Sequence, residues 1–433
     1  MAGKRAIVLA GGGSRGSYQL GVWRALRELG VDFSIVSGTS VGALNGALMA
    51  QGDFAAAEQL WLSIKNSSVM SAIPDHDPAD KDDYHVLLPA FWKEIQKNGG
   101  IDIAPLDALV HKVIDEERLR ASHIRFGFVT VRIPTLQPLE LMTEDIPDGR
   151  VADYLLASAA CFPAFKPRSV EGAVFIDGGY YNNLPIDIAL SCGADDVIAI
   201  DLEAIGYVQP VKVDVPIRYI RSYWPLGLFI VFDPEVAARN MRLGYLDCMK
   251  AFEQYDGIAY TFYPGEYHRL ARTLMPCMRK MFRFSDESAG FTLFGLGKLA
   301  ENAVKRTLKH RRSKNMPTAL AILSAAEIAA ELLDLSPLEI YTMKAFNCKV
   351  SEAFVRTAQA AEAAVSAASG AAVDLELMRD ALTRKDRKAL LPFAYRRLCD
   401  AMARRDANAV SLLALIMPRE FIAAAYIYAL KIY

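Results

Sequence analysis

The chain has 433 residues, 52% of them hydrophobic and 23% charged, enough to bury a sizeable core unaided and too apolar for bulk disorder. Forty-nine Lys and Arg against fifty Asp and Glu leave a net charge of −1, so no overall basic field speaks for a nucleic-acid partner. The six cysteines (Cys161, Cys192, Cys248, Cys277, Cys348, Cys399) include no C-x-x-C pair, and neither a disulfide framework nor a zinc site is expected.

In chain order, Ala6–Ala10 reads as a short buried strand that stops at three glycines, and Ser17–Leu29 follows with apolar residues at helical intervals. The five apolar residues after Lys4 and Arg5 fall short of a secretory h-region. Phe33–Val36 is the next strand, ending at Gly38, with Val41–Gln51 a helix; further strands are expected at Arg125–Val131, Ala173–Ile176 and Val197–Asp201. Such alternation predicts an α/β domain around a mostly parallel sheet. Trp224–Phe232 reads either as a buried strand or as a lid.

Of 28 glycines only Gly370 lies beyond residue 310, where Ala, Leu and long polar residues take over. We therefore expect a seam at His310–Thr318, with an α/β domain over 1–310 and an all-helical region over 311–433. Ser336-Pro337-Leu338-Glu339 has the form of a capping box, and Ala358–Ala372 continues as an alanine-rich helix. The tail carries 17 basic and 13 acidic residues, +4, leaving −5 on the rest, with basic clusters at Arg384–Lys388, Arg396–Arg397 and Arg404–Arg405. Leu226–Phe232, Ala409–Met417 and Phe421–Leu430 are each too short for a membrane span of about 20 residues. A cytoplasmic chain is expected, and any peripheral membrane contact is assigned to the basic tail.

Gly11-Gly12-Gly13-Ser14-Arg15-Gly16 satisfies G-x-G-x-x-G between strand and helix. A dinucleotide site also wants an acidic residue ending the second strand, and Asp32 instead precedes it. Three readings of the turn stay open: that dinucleotide site, which the position of Asp32 disfavours, a plain turn, or backbone N–H groups aimed at an oxyanion. Gly38-Thr39-Ser40-Val41-Gly42 is a G-x-S-x-G between strand and helix, the context of a nucleophile elbow, although a helix-capping serine would look similar. None of the six histidines sits in a motif, and only two strands precede Ser40, too few for an α/β-hydrolase. The better base is Asp177, whose Gly178 and Gly179 allow a tight turn after a strand.

In order and context these three motifs resemble the signatures of the patatin-like phospholipases. Ala157–Pro167 looks like the family's A-S-x-x-x-x-P-x-F-x-P segment, and Asp177–Pro185 with Gly193–Asp195 and Val197–Asp201 is similar to its D-G-G-x-x-N-N-x-P and G-A-D-x-V-I-A-x-D stretch. The resemblance covers roughly residues 4–265 and implies a three-layer α/β/α fold and a lipid acyl hydrolase, of phospholipase A or lysophospholipase type. By position it makes Ser40 the nucleophile and Asp177 the proton acceptor. Gly11, Gly12, Gly13, Arg15 and Gly16 would form the oxyanion loop, chiefly through the N–H groups of Gly12 and Gly13. Gly38, Gly42, Gly178 and Gly179 would shape the elbow and turn. No metal or cofactor is implied. Phe162, Phe165, Tyr180, Tyr181 and Trp224–Phe232 are expected to line an acyl slot. A transacylase using the same acyl-enzyme, and a non-catalytic lipid-binding module, are the competing expectations.

Overall fold

The computed structural model describes residues 4–75, 84–211, 214–272, 274, 298–308, 318–367 and 387–432. They fall into two compact units, Met1–Phe252 and Glu253–Tyr433.

The first unit is built on an eight-stranded sheet: β1 (Arg5–Leu9), β2 (Ile35–Thr39), β3 (Arg125–Ile133), β4 (Gln137–Met142), β5 (Arg168–Val170), β6 (Ala173–Asp177), β7 (Asp196–Ile200) and β8 (Ile217–Ile220). Its helices are α1 (Ser17–Glu28), α2 (Val41–Gln51), α3 (Phe54–Ser63), α4 (Asn66–Val69), α5 (Tyr84–Asn98), α6 (Ala104–Val113), α7 (Glu116–Arg120), α8 (Val151–Ser158), α9 (Ile186–Ser191) and α10 (Pro234–Ala251). β8, β7, β1, β2 and β3 run parallel in that order. β1 and β2 are almost wholly buried, which is why their sequences are continuous apolar or small runs rather than alternating ones.

Neighbouring strand residues face opposite sides of a sheet, and both sides are covered. A methyl on Gly46 of α2 would meet Val36 Cγ1 at 3.1 Å, whereas the adjacent Ser37 donates from Oγ to the carbonyl of Pro185, at the start of α9. The expected layered α/β architecture is present. β4, β5 and β8 were not anticipated: β4 and β8 carry exposed or half-buried polar residues, and β5 is three residues long.

The second unit is mainly helical, with helices Thr318–Leu332, Met343–Ala367, Leu390–Arg404, Ala407–Ile416 and Pro418–Ile432. Pro418–Ile432 packs on Thr318–Leu332 and Leu390–Arg404. A short parallel pair, Thr261–Phe262 with Ile340–Tyr341, lies beside a buried ring cluster of Tyr260, Phe262, Tyr341 and Phe346. Glu327 Oε1 accepts from the N–H groups of Ile258, Ala259 and Tyr260. These contacts draw residues 253–265 into the second unit, so the compact units divide at 252/253 and the glycine-poor boundary near 310 falls inside the second.

The expected helix start at Ser336–Glu339 is a turn instead. Ile340 and Tyr341 are taken into strand pairing, and the helix begins at Met343, where Thr342 Oγ1 accepts from Ala345 N–H. Of the alanine-rich and basic stretches, 368–372 and 384–386 lie outside the described residues. No helix among the described residues is long and apolar enough to cross a membrane.

Candidate active site

One strand brings the predicted nucleophile and base together. β4 occupies one edge of β3 from Gly127 to Arg132. β2 pairs with β3 as far as Thr39↔Val129, and β6 pairs antiparallel from Asp177↔Thr130 onward. A strand has only two edges, so β2 and β6 must lie end to end on the other. They approach from opposite directions, and both terminate at one point. Thr39 and Asp177 therefore stand opposite consecutive residues of β3, with Ser40 next in line.

Ser40 adopts φ 56°, ψ −126°, a strained setting for a non-glycine residue. The turn is sterically locked: a Cβ on Gly38 would lie 2.2 Å from the Gly42 carbonyl oxygen, and one on Gly42 would lie 2.3 Å from that of Leu9. The Ser40 backbone caps α2, its carbonyl accepting from Ala43 and Leu44 N–H, but its hydroxyl makes no capping bond. Ser40 stands close enough to Asp177 to favour its ionised carboxylate. Capping by the Ser40 hydroxyl, the alternative reading of this motif, is therefore not what the turn shows.

Asp177 is 5% exposed. Burial pushes its carboxyl up to about 6, while the nearby Ser40 and the hydrogen bond from Gly179 N–H oppose the rise. Ser158, at the end of α8, anchors the junction: its Oγ donates to the Val129 carbonyl at 2.6 Å and accepts from Ser40 N–H at 3.0 Å. Ser158→Ala leaves both buried backbone groups without that partner, and a loss of about 2 kcal/mol in unfolding free energy is expected. Urea denaturation measures it; a change near zero would remove Ser158 from this role.

The glycine loop runs alongside Ser40. Gly11 N–H is engaged by the Asn183 carbonyl, whereas among the described residues neither Gly12 nor Gly13 N–H has a protein acceptor. Gly12 and Gly13 line the same cavity as Ser40 and Asp177. Arg15 is a brace: Nε donates to the Gly227 carbonyl and Nη1 to that of Glu203. Gly16 packs tightly against Val41, Trp61 and Asn45 and is not itself among the residues that line the cavity.

Sequence reasoning missed the polar groups that hold this loop. Gln19 Nε2 donates to the Ala10 carbonyl and Asn45 Nδ2 to those of Gly16 and of the Gln19 amide, and Trp61 Nε1 donates to Asn45 Oδ1. Asn182 donates to both oxygens of Asp187, and its carbonyl takes the Thr39 hydroxyl. An amide inside an otherwise apolar helix, as at Gln19 and Asn45, was the available signal.

Beside the serine lies a cavity of about 720 Å³, within the ~300–1,000 Å³ typical of small-ligand sites. Ser40, Val41, Leu44 and Leu48 all line it, so it follows α2 for two turns, about 10 Å. Phe162, Phe165, Tyr180, Phe229, Ile230 and Phe232 lie on it as expected, and Tyr181 and Trp224 do not. Its unforeseen wall is α6, through Leu106, Leu109, Val110 and Val113. Residues 224–232 form neither strand nor helix; the Phe229 carbonyl instead accepts from Ser14 N–H and so pins this segment to the glycine loop. Burial pushes the neighbouring Cys161 thiol up to about 12, which makes it a poor rival nucleophile. No cluster of three or more metal-ligating side chains occurs among the described residues.

Residues 7–190 match the family model described as "Patatin-like phospholipase". The chain is 27% identical over 328 residues to human patatin-like phospholipase domain-containing protein 6, which covers 72% of this chain and 22% of that protein. It is 28% identical over 204 residues to lysophospholipase nte1 of Aspergillus terreus, covering 47% of this chain and 12% of the relative. The chain thus spans less than a quarter of these relatives' length. Among solved structures, VipD of Legionella pneumophila aligns over 98% of this chain and 92% of its own at 16% identity and a TM-score of 0.35.

Proposed function

We propose that this chain, whose residues 7–190 match the patatin-like phospholipase model, hydrolyses carboxylic esters of lipids through Ser40 and Asp177. The observation that carries the reading is that Ser40, directly after β2, and the buried Asp177, at the end of β6, are brought together on one edge of β3 and share one apolar cavity with the unengaged N–H groups of Gly12 and Gly13.

The reaction has two halves. Ser40 Oγ attacks the ester carbonyl carbon while its proton passes to the Asp177 carboxylate. The negative oxygen is met by the N–H groups of Gly12 and Gly13, which need no reorganisation. Collapse breaks the ester C–O bond, and the leaving alcohol or lysolipid takes the proton from Asp177. Water then attacks the acyl-Ser40 ester, gives a proton to Asp177, and a second tetrahedral species releases the fatty acid and restores the Ser40 hydroxyl. The acyl chain lies along α2 and α6.

A carboxylate near pKa 3.9 is a weak base, and burial of Asp177 raises it to about 6, closer to neutral pH, where general bases work best. Only the ionised form accepts the proton, so kcat/KM for a soluble ester should rise about tenfold per pH unit up to about 6 and then level off. A profile already flat from about pH 4.5 upward would exclude Asp177 as the titrating base.

A transacylase would share every step except the last, with a second alcohol replacing water. Added glycerol or lysolipid that captures the acyl group in preference to water would favour it. The intact Ser40–Asp177 pair and unengaged glycine N–H groups speak against a purely lipid-binding module.

A further inference from the structure

The rim of the cavity carries a second property. Phe162, Tyr180, Ile205, Tyr207, Val208 and Leu228 are all exposed, and Ile205 is 95% exposed. They come from separate stretches of chain. Phe162, Tyr180, Ile205 and Tyr207 line the cavity that holds Ser40, and the exposed Val208 and Leu228 are chain neighbours of the lining residues Tyr207 and Phe229.

The rim is held rigidly. Tyr207 N–H donates to the Gly179 carbonyl, and Asn183 N–H donates to the Tyr207 carbonyl, so the Ile205 loop is tied to the turn that carries Asp177. Gly206 lies so close to Asn183 that a Cβ would sit 2.7 Å from its Cβ and Cγ. The Tyr180 hydroxyl donates to the Phe162 carbonyl, joining two more rim residues. A tethered loop that holds out an isoleucine, in the uncharged run Ala204-Ile205-Gly206-Tyr207-Val208, keeps apolar area in water; a patch of this kind marks an interaction surface.

We propose that this rim docks on a lipid surface, with Ile205 entering the boundary between head groups and acyl chains. Tyr180 and Tyr207 then sit at head-group level, where amphipathic rings are favoured. The occupant is lipid rather than protein because the apolar ring is continuous with the cavity: a protein seated there would seal the entrance, whereas a bilayer supplies acyl chains through it. This rests on reading the cavity as an acyl slot, and it moves the expected membrane contact from the basic helical tail to the mouth of the catalytic unit.

The test is made on the full chain carrying Ser40→Ala, so that binding is read without turnover. Sedimentation with vesicles of pure phosphatidylcholine should show binding that falls at least about tenfold on adding Ile205→Asp and is kept by Ile205→Leu. Val208→Asp, in the chain with Ser40 intact, should depress turnover of vesicle lipid while leaving turnover of a soluble short-chain ester unchanged. Binding by Ile205→Asp within about twofold of its parent would overturn the proposal. So would binding that needs phosphatidylserine and disappears in high salt, which assigns the contact to basic residues, or no binding to phosphatidylcholine at all. An absence of turnover in every chain, with the Ile205 effect on sedimentation intact, would defeat the hydrolase reading and leave the docking surface standing.

Discussion

Ser40→Ala is expected to lower ester hydrolysis by at least about 10³-fold and Asp177→Asn by about 10²–10⁴-fold. The first removes the oxygen that forms the acyl bond. The second keeps the shape and the acceptor for Gly179 N–H but cannot take a proton. Turnover of p-nitrophenyl esters by folded variants checks both, and near-parental activity in either rejects the pair. A fluorophosphonate adduct on any residue but Ser40 would reject it equally.

Asp177→Asn has a second, opposite effect. Burial holds the folded-state pKa at about 6, above the ordinary 3.8. The native state therefore binds more protons than the unfolded chain between those values, and its stability declines as pH rises through that window. At pH 8 the variant should be more stable than the parent by up to about 3 kcal/mol, and at pH below about 4 the difference should vanish. Urea unfolding at both pH values separates this from a general loss of fold. A variant inactive and less stable at pH 8 would mean that Asp177 is chiefly a structural acceptor.

The other large effect falls on the elbow. Gly42→Ala would put a methyl 2.3 Å from the Leu9 carbonyl oxygen and 2.7 Å from that of Ala10. Both belong to the backbone at the end of β1 and cannot rotate aside, so α2 or the end of β1 has to shift. A loss of about 2–4 kcal/mol in stability is expected. Activity should fall further than stability, because the shift displaces Ser40 from Asp177. Unfolding curves together with ester turnover test this; a fully stable and active Gly42→Ala chain would show that the elbow has more room than its contacts imply.

Much of this was legible in the sequence. The apolar runs at Ala6–Ala10 and Phe33–Val36, broken by glycines, identified β1 and β2 to within a residue or three, because strands buried on both faces need unbroken small or apolar side chains. The turns that carry Ser40 and Asp177 were legible because they demand glycine at fixed offsets. What could not be read was how β2 and β6 share an edge of β3: residues 39 and 177 become neighbours only through strand register, which leaves no local mark. The same holds for Ser158, Asn183 and Asn45, whose partners are distant backbone groups. The capping box at Ser336–Glu339 misled because pairing of Ile340 and Tyr341 outweighs a local helix preference.

The shared edge of β3 also separates what must be inherited unchanged from what is free to drift. The spacing of Ser40 and Asp177 is set by consecutive rungs of one backbone ladder, while the cavity's far wall is supplied by α6 (Ala104–Val113), which contributes nothing to that ladder. If the cavity holds an acyl chain as proposed, a lineage descending from this chain can trade Leu106, Val110 or Val113 for bulkier or slighter residues and so exchange one acyl group for another. Ser40 and Asp177 keep their places throughout, so the proposed chemistry would be conserved while its diet diversifies.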